Sequence, residues 1–134
     1  MTDRSLAVLD ASVGVKWIRH EAGSEDALTL LTGHREGSLR IVVASHFMHE
    51  IVAVAVRHLG VDLAERTWET LQGADLTVLG LDDALARAAL DQCRLLGCSF
   101  YDALAPALAD QLDATLYSAD ARAHGRFQGV ILIG

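Results

Sequence analysis

"SLAVLDASVGVKWIRH", residues 5–20, reads as a buried strand running straight into a helix. Its first six residues form a short apolar run closed by an acid, Asp10. A run of that length without polar alternation suits a strand covered on both faces. From Ser12 onward the apolar residues fall at helical spacing. The same alternation continues along the chain. "RIVVAS" (40–45), "DLTVLGL" (75–81), "DATLYSAD" (113–120) and "GVILIG" (129–134) read as further strands. Helices are predicted in "SEDALTLLTGHRE" (24–36), with Ser24 as N-cap, and in "HFMHEIVAVAVRHLG" (46–60), whose valines also suit a strand. Three more follow in "DLAERTWETLQG" (62–73), "DDALARAALDQCRLLG" (82–97) and "SFYDALAPALAD" (99–110). Leu81, Leu85, Ala88 and Leu96 mark the inward face of the helix near 82–97. Strands alternating with helices predict an α/β protein, a three-layer α/β/α sandwich with a mainly parallel central sheet. There is no repeat, low-complexity tract or linker, so residues 1–134 are expected to form a single domain.

Composition narrows the function classes. Hydrophobic residues make up 51% of the 134, enough to fill one core and too many for a disordered chain. No uncharged apolar stretch approaches the roughly 18 to 20 residues that span a bilayer. The start, "MTDRSLAVLD", meets acid again at Asp10, too early for a secretory signal. A soluble, cytoplasmic protein without membrane attachment is expected. Cys93 and Cys98 in "CRLLGC" lack a second pair at zinc-ligand spacing and read as buried free thiols. "HFMHE" is not the HExxH zinc pattern, although His46 and Glu50 can share a helix face. The formal charge of −7 argues against passive binding to nucleic acid, which needs a basic face. It leaves room for an enzyme that gathers carboxylates around a metal, because the bound ion reverses the local field.

Four acids stand out. Ligands of open α/β sheets sit outside the carboxyl ends of the strands. Asp10 closes the first strand and Asp120 lies just beyond "TLYS", so both are predicted at the same sheet edge. Either could equally cap the next helix or make a turn. Glu50 interrupts a strongly apolar segment with no opposite charge before Arg57, which makes it a functional acid or a residue on the solvent edge of its helix. Asp102, three residues after Ser99, approximates a capping box, and a first-turn acid points outward from its helix start. Arg122 and Arg126, with His124, form the nearest basic group to Asp120 and are candidate phosphate contacts. Pro106 removes the amide that would bond to the Asp102 carbonyl and crowds it, which predicts a kink or widened turn just after Asp102.

"VLDASVGVKWI", "HEIVAVAVRH", "CSFYDALAPALAD" and "ATLYSADAR", in that order, resemble the motifs of a PIN domain. More closely, they look like VapC-type ribonuclease toxins of VapBC toxin–antitoxin systems. The resemblance runs from about residue 6 to the final "GVILIG", and its most specific parts are "FYDAL" and "SAD". It implies that Asp10, Glu50, Asp102 and Asp120 converge as an acidic catalytic site. Asp10, Asp102 and Asp120 would hold Mg²⁺, or Mn²⁺, to hydrolyse RNA. Ser12 and Ser118 occupy the family's supporting hydroxyl positions, where each could bond a carboxylate or a metal-held water. The family also implies a homodimer and a cognate VapB-type antitoxin that occludes the site. Two departures from the pattern are the missing proline before Glu50, in "VASHFMHE", and Pro106 itself.

The residue types suit the chemistry. Mg²⁺ prefers hard oxygen ligands, keeps several waters, and makes one of them a better nucleophile for in-line attack on phosphorus. Two other readings compete. One keeps the fold without catalysis, as a binding or scaffold module. The other is a receiver-type phosphoacceptor domain, which needs a Lys at a later strand end, whereas the only Lys here is Lys16, just after the first strand.

Overall fold

The computed structural model describes residues 5–134. The elements run β1 (Ser5–Leu9), α1 (Ala11–Ile18), α2 (Ser24–Glu36), β2 (Leu39–Ala44), α3 (Ser45–Leu59), α4 (Val61–Gly73), β3 (Thr77–Leu79), α5 (Asp83–Leu96), α6 (Phe100–Leu112), β4 (Thr115–Ser118), α7 (Ala121–His124) and β5 (Ile131–Leu132). The strands form one sheet in the order β3-β2-β1-β4-β5, and every pairing is parallel.

Two apolar layers close on this sheet, and the strands show why their sequences are continuously hydrophobic. In β1, Ala7 and Leu9 face one layer while Val8 faces the other; in β2, Ile41 and Val43 part from Val42 and Ala44 in the same way. Successive side chains point to opposite faces, so a strand covered on both sides needs apolar residues at every position. The first layer comes from α1, α2, α3 and α4, the second from α5 and α6. The α/β/α sandwich with a parallel sheet is therefore the architecture, with parallel pairing throughout.

Residues 45–59 are helical, as their spacing predicts, and the valines do not make a strand. Several other local expectations need correction. Ser24 is the first residue of α2 and Gly23, at φ 87°, precedes it. The Ser24 hydroxyl accepts from the Glu21 amide and donates to the Arg19 carbonyl, so it braces the preceding turn instead of capping α2. Leu81 lies ahead of α5 and is exposed; the buried face of that helix is Leu85, Ala89, Gln92 and Leu96. The edge strands β3 and β5 are shorter than their apolar runs, with Val78, Leu79, Ile131 and Leu132 exposed. Cys93 and Cys98 are free thiols, as expected, but half-buried. Among the described residues no helix is long and apolar enough to cross a membrane.

Pro106 does not end its helix, and the Asp102 carbonyl is left without its helical amide, as the sequence predicts. Helix α6 runs unbroken from Phe100 to Leu112 with Pro106 inside it and residues 103–109 all buried. It packs on β1, β2, β4 and α5, which hold it on several sides. The unpaired Asp102 carbonyl has found another donor, the His124 ring, at 2.6 Å.

Candidate active site at the carboxyl edge of the sheet

The strand order reverses direction between β1 and β4. From β1 the chain moves to β2 and β3 on one side, then crosses back to β4 and β5 on the other. Such a switch point opens a crevice at the carboxyl ends of the strands, where α/β proteins bind ligands. Asp10 follows the last residue of β1, and its amide bonds to the Tyr117 carbonyl of β4 at 3.0 Å. Asp120 follows β4 by two residues. The two acids therefore flank the reversal.

Local capping fixes both. The Asp10 carboxylate accepts from the Ser12 amide at 3.0 Å and caps α1 through Oδ2. Asp120 caps α7 through Oδ1, which accepts from the Ala123 amide at 3.0 Å. Capping and site formation are thus compatible, since each bond uses one carboxylate oxygen. Asp102 sits in the first turn of α6, where the Ser99 hydroxyl accepts its amide proton at 3.1 Å. A negative charge there also interacts favourably with the helix dipole.

Asp102 and Asp120 line one polar cleft of about 470 Å³, together with Ser99, Cys98, Arg122 and Arg126. Asp10 lies at a separate small pocket bounded by His46, Phe47 and Tyr101. Glu50 does not line either. It is half-exposed on α3 and pairs with His46, one turn earlier, at 2.7 Å. That is the solvent-edge placement, with a partner supplied at i−4 instead of by Arg57. The His46 ring stacks on Tyr101, centroids 4.4 Å apart, and Tyr101 is largely exposed beside the Asp10 pocket.

The donor set fits a hard divalent ion. Two carboxylates reach one polar cleft, and Mg²⁺ typically takes one or two carboxylates and completes its octahedron with water. Among the described residues no three His, Cys, Asp or Glu side chains gather closely enough to hold a metal by themselves. Asp102 and Asp120 are the two carboxylates that share a cleft.

Ser12 and Ser118 bond to backbone instead of carboxylate. The Ser12 hydroxyl accepts from the Ala119 amide at 3.0 Å, tying the β1–α1 turn to the β4–α7 loop. Ser118 is fully buried, accepts from the Asp120 amide at 3.0 Å and meets His124 Nδ1 at 2.6 Å. Both hydroxyls hold the loops that present acids. Arg122 and Arg126 are exposed at the cleft, but Arg126 also donates to the Leu96 carbonyl at the end of α5. His124, which the sequence groups with them, is buried and uses both ring nitrogens inside the protein, so it makes no phosphate contact. Burial, with Cys93 and Asp102 nearby, pushes the Cys98 thiol above its ordinary value, which disfavours the nucleophilic thiolate.

Lys16 removes the receiver reading's last support. It is buried on α1, donates to the Ala22 carbonyl at 2.5 Å and pairs with Glu21 at 3.4 Å. It fastens the α1–α2 connection and leaves no lysine to face a phosphoacceptor.

The profile of the PIN-domain family matches residues 7–128, and the chain belongs to that family. No curated protein matches it at a significant level. Among solved structures, a toxin–antitoxin complex from Klebsiella pneumoniae is similar at 14% identity and a TM-score of 0.73, covering 93% of this chain and 95% of its own. DNA-bound VapBC from Salmonella typhimurium is 17% identical at a TM-score of 0.71, over 96% of both chains. A sarcin–ricin-loop-cleaving VapC toxin from Mycobacterium tuberculosis is 17% identical at 0.70, over 92% of this chain and 98% of its own. At these identities the likeness is one of fold.

Proposed function

We propose that this PIN domain is a metal-dependent endoribonuclease, the toxin of a VapBC-type toxin–antitoxin pair. The observation that carries the reading is the cleft that Asp102 and Asp120 share at the sheet's switch point, with Arg122 and Arg126 on its rim. Asp102, Asp120 and Asp10 are the proposed carboxylates toward Mg²⁺ or Mn²⁺, with Glu50 at the margin. The ion, when bound, acidifies a water and offsets charge on the scissile phosphate. The chain's own residues do the rest. Arg122 and Arg126 attract the phosphodiester backbone, which an overall charge of −7 would otherwise repel. Exposed Tyr101, at the Asp10 pocket, is the proposed aromatic contact for a nucleobase. Ser12 and Ser118 keep the two acid-bearing loops in register.

The similar structures from Klebsiella and Salmonella are complexes with an antitoxin, which supports a VapB-type partner here. A homodimer is the proposed assembly. The competing reading, a PIN module that binds without cutting, has two observations in its favour: Glu50 is engaged with His46 and, among the described residues, no three acids close on a point.

One assay separates the two. Total cellular RNA is incubated with the protein in Mg²⁺, in EDTA, and in Mg²⁺ with Asp102→Asn, and new 5′-phosphate ends are sequenced. The nuclease reading expects discrete new ends only with wild type and Mg²⁺. No new ends from wild type, or equal ends from Asp102→Asn, would overturn it.

A further inference from the structure

The bond from His124 to the Asp102 carbonyl has a cause in the sequence. In a regular helix that carbonyl accepts from the amide four residues on, which here belongs to Pro106 and does not exist. The helix nevertheless continues, and the donor comes from 22 residues further along the chain. His124 is 0% exposed and reaches the carbonyl through Nε2 at 2.6 Å. A carbonyl oxygen only accepts, so Nε2 carries the proton. Nδ1 then accepts from the Ser118 hydroxyl at 2.6 Å, and the Ser118 oxygen accepts from the Asp120 amide at 3.0 Å. Donors and acceptors alternate without conflict: Asp120 amide to Ser118, Ser118 to His124, His124 to Asp102. The chain of bonds begins on the backbone of one acid of the cleft and ends on the backbone of the other.

We infer that His124 is a positioning residue that sets Asp102 against Asp120, and that Pro106 reserves the Asp102 carbonyl for it. The two residues work as a pair. Pro106 without His124 would leave the part-buried carbonyl without its protein donor, and an amide-bearing residue at 106 would supply a donor that makes His124 less needed. This rests on the reading of the cleft as a metal-dependent nuclease centre, and the test keeps the two apart.

The test is a double-mutant cycle in the full chain, combining His124→Phe or His124→Gln with Pro106→Ala. Thermal melting is followed with and without Mn²⁺, and cleavage under Mg²⁺ is resolved into kcat and KM. Gln keeps a donor near the position of Nε2, whereas Phe keeps only the volume. The expected results are a kcat loss of about tenfold or more for His124→Phe, at nearly unchanged KM, and a smaller Mn²⁺-induced rise in Tm. Pro106→Ala returns an amide to the carbonyl, so His124→Phe should cost less Tm when combined with Pro106→Ala than alone. His124→Gln should recover most of both losses, and serves alone if the Phe variant does not fold. Equal Tm losses in both backgrounds would overturn the pairing. So would a His124→Phe variant, or a His124→Gln variant used alone, that is less stable yet retains wild-type kcat and Mn²⁺ response. If wild type cuts no RNA, the functional reading fails. The Tm cycle and the Mn²⁺ response still decide the positioning.

Discussion

Asp10 and Asp120 each serve their own helix and the crevice at once, which is why their capping roles and their place at the sheet edge fall in the same short motifs. The basic residues differ more than the sequence suggests. Arg122 is exposed at the cleft, while Arg126 also holds the end of α5 through Leu96. Arg122→Glu is therefore expected to weaken RNA binding, read by filter retention with the Tm unchanged. Arg126→Glu should weaken binding and lower the Tm as well. Equal effects of the two on stability would contradict that division. At Cys98, burial favours the protonated thiol, so its folded-state alkylation by iodoacetamide at pH 8 should be slower than that of free cysteine. A rate equal to the free thiol's would contradict the raised value. The positions of Asp10 and Asp120 were legible because acids that end apolar runs fall at strand ends. His124 was not, because its partner Asp102 is 22 residues away and a histidine beside two arginines reads locally as basic.

Among the elements, the strands and most helices were legible from period and turn residues, and the boundaries that moved have physical reasons. Ser24 looked like a cap, but its hydroxyl is used by the turn before it. Pro106 sits inside α6 without ending it, because α6 is clamped on the sheet and against α5, and the lost hydrogen bond is replaced from α7. The α1–α3 contact shows the converse, a glycine needed for space. A Cβ on Gly14 would lie 2.5 Å from Cζ of Phe47 and 2.7 Å from Cδ1 of Ile51, both in the core. Gly14→Ala should therefore cost about 1–3 kcal/mol through overpacking, measured by denaturant or thermal unfolding. A neutral or stabilising effect would mean that the Phe47 ring shifts without strain.

For the whole molecule, a charge of −7 and two arginines at one cleft mean that RNA, if it is the proposed substrate, is held by weak, local attraction. If Arg122 and Arg126 supply the phosphate contacts, log Kobs should fall with log[salt] with a slope of about −1.4. A much steeper slope would reveal a basic surface elsewhere. The fold brings Asp102 and Asp120 into one cleft from α6 and the β4–α7 connection, an arrangement that depends on the parallel sheet reversing direction beside β1. The most direct test of that cleft as the reactive centre is single-turnover cleavage of one identified RNA under saturating Mg²⁺, comparing wild type with Asp102→Asn and Asp120→Asn. Both variants should retain the wild-type melting temperature or exceed it while losing at least about a hundredfold in rate. Cleavage at the wild-type rate by either folded variant would contradict it.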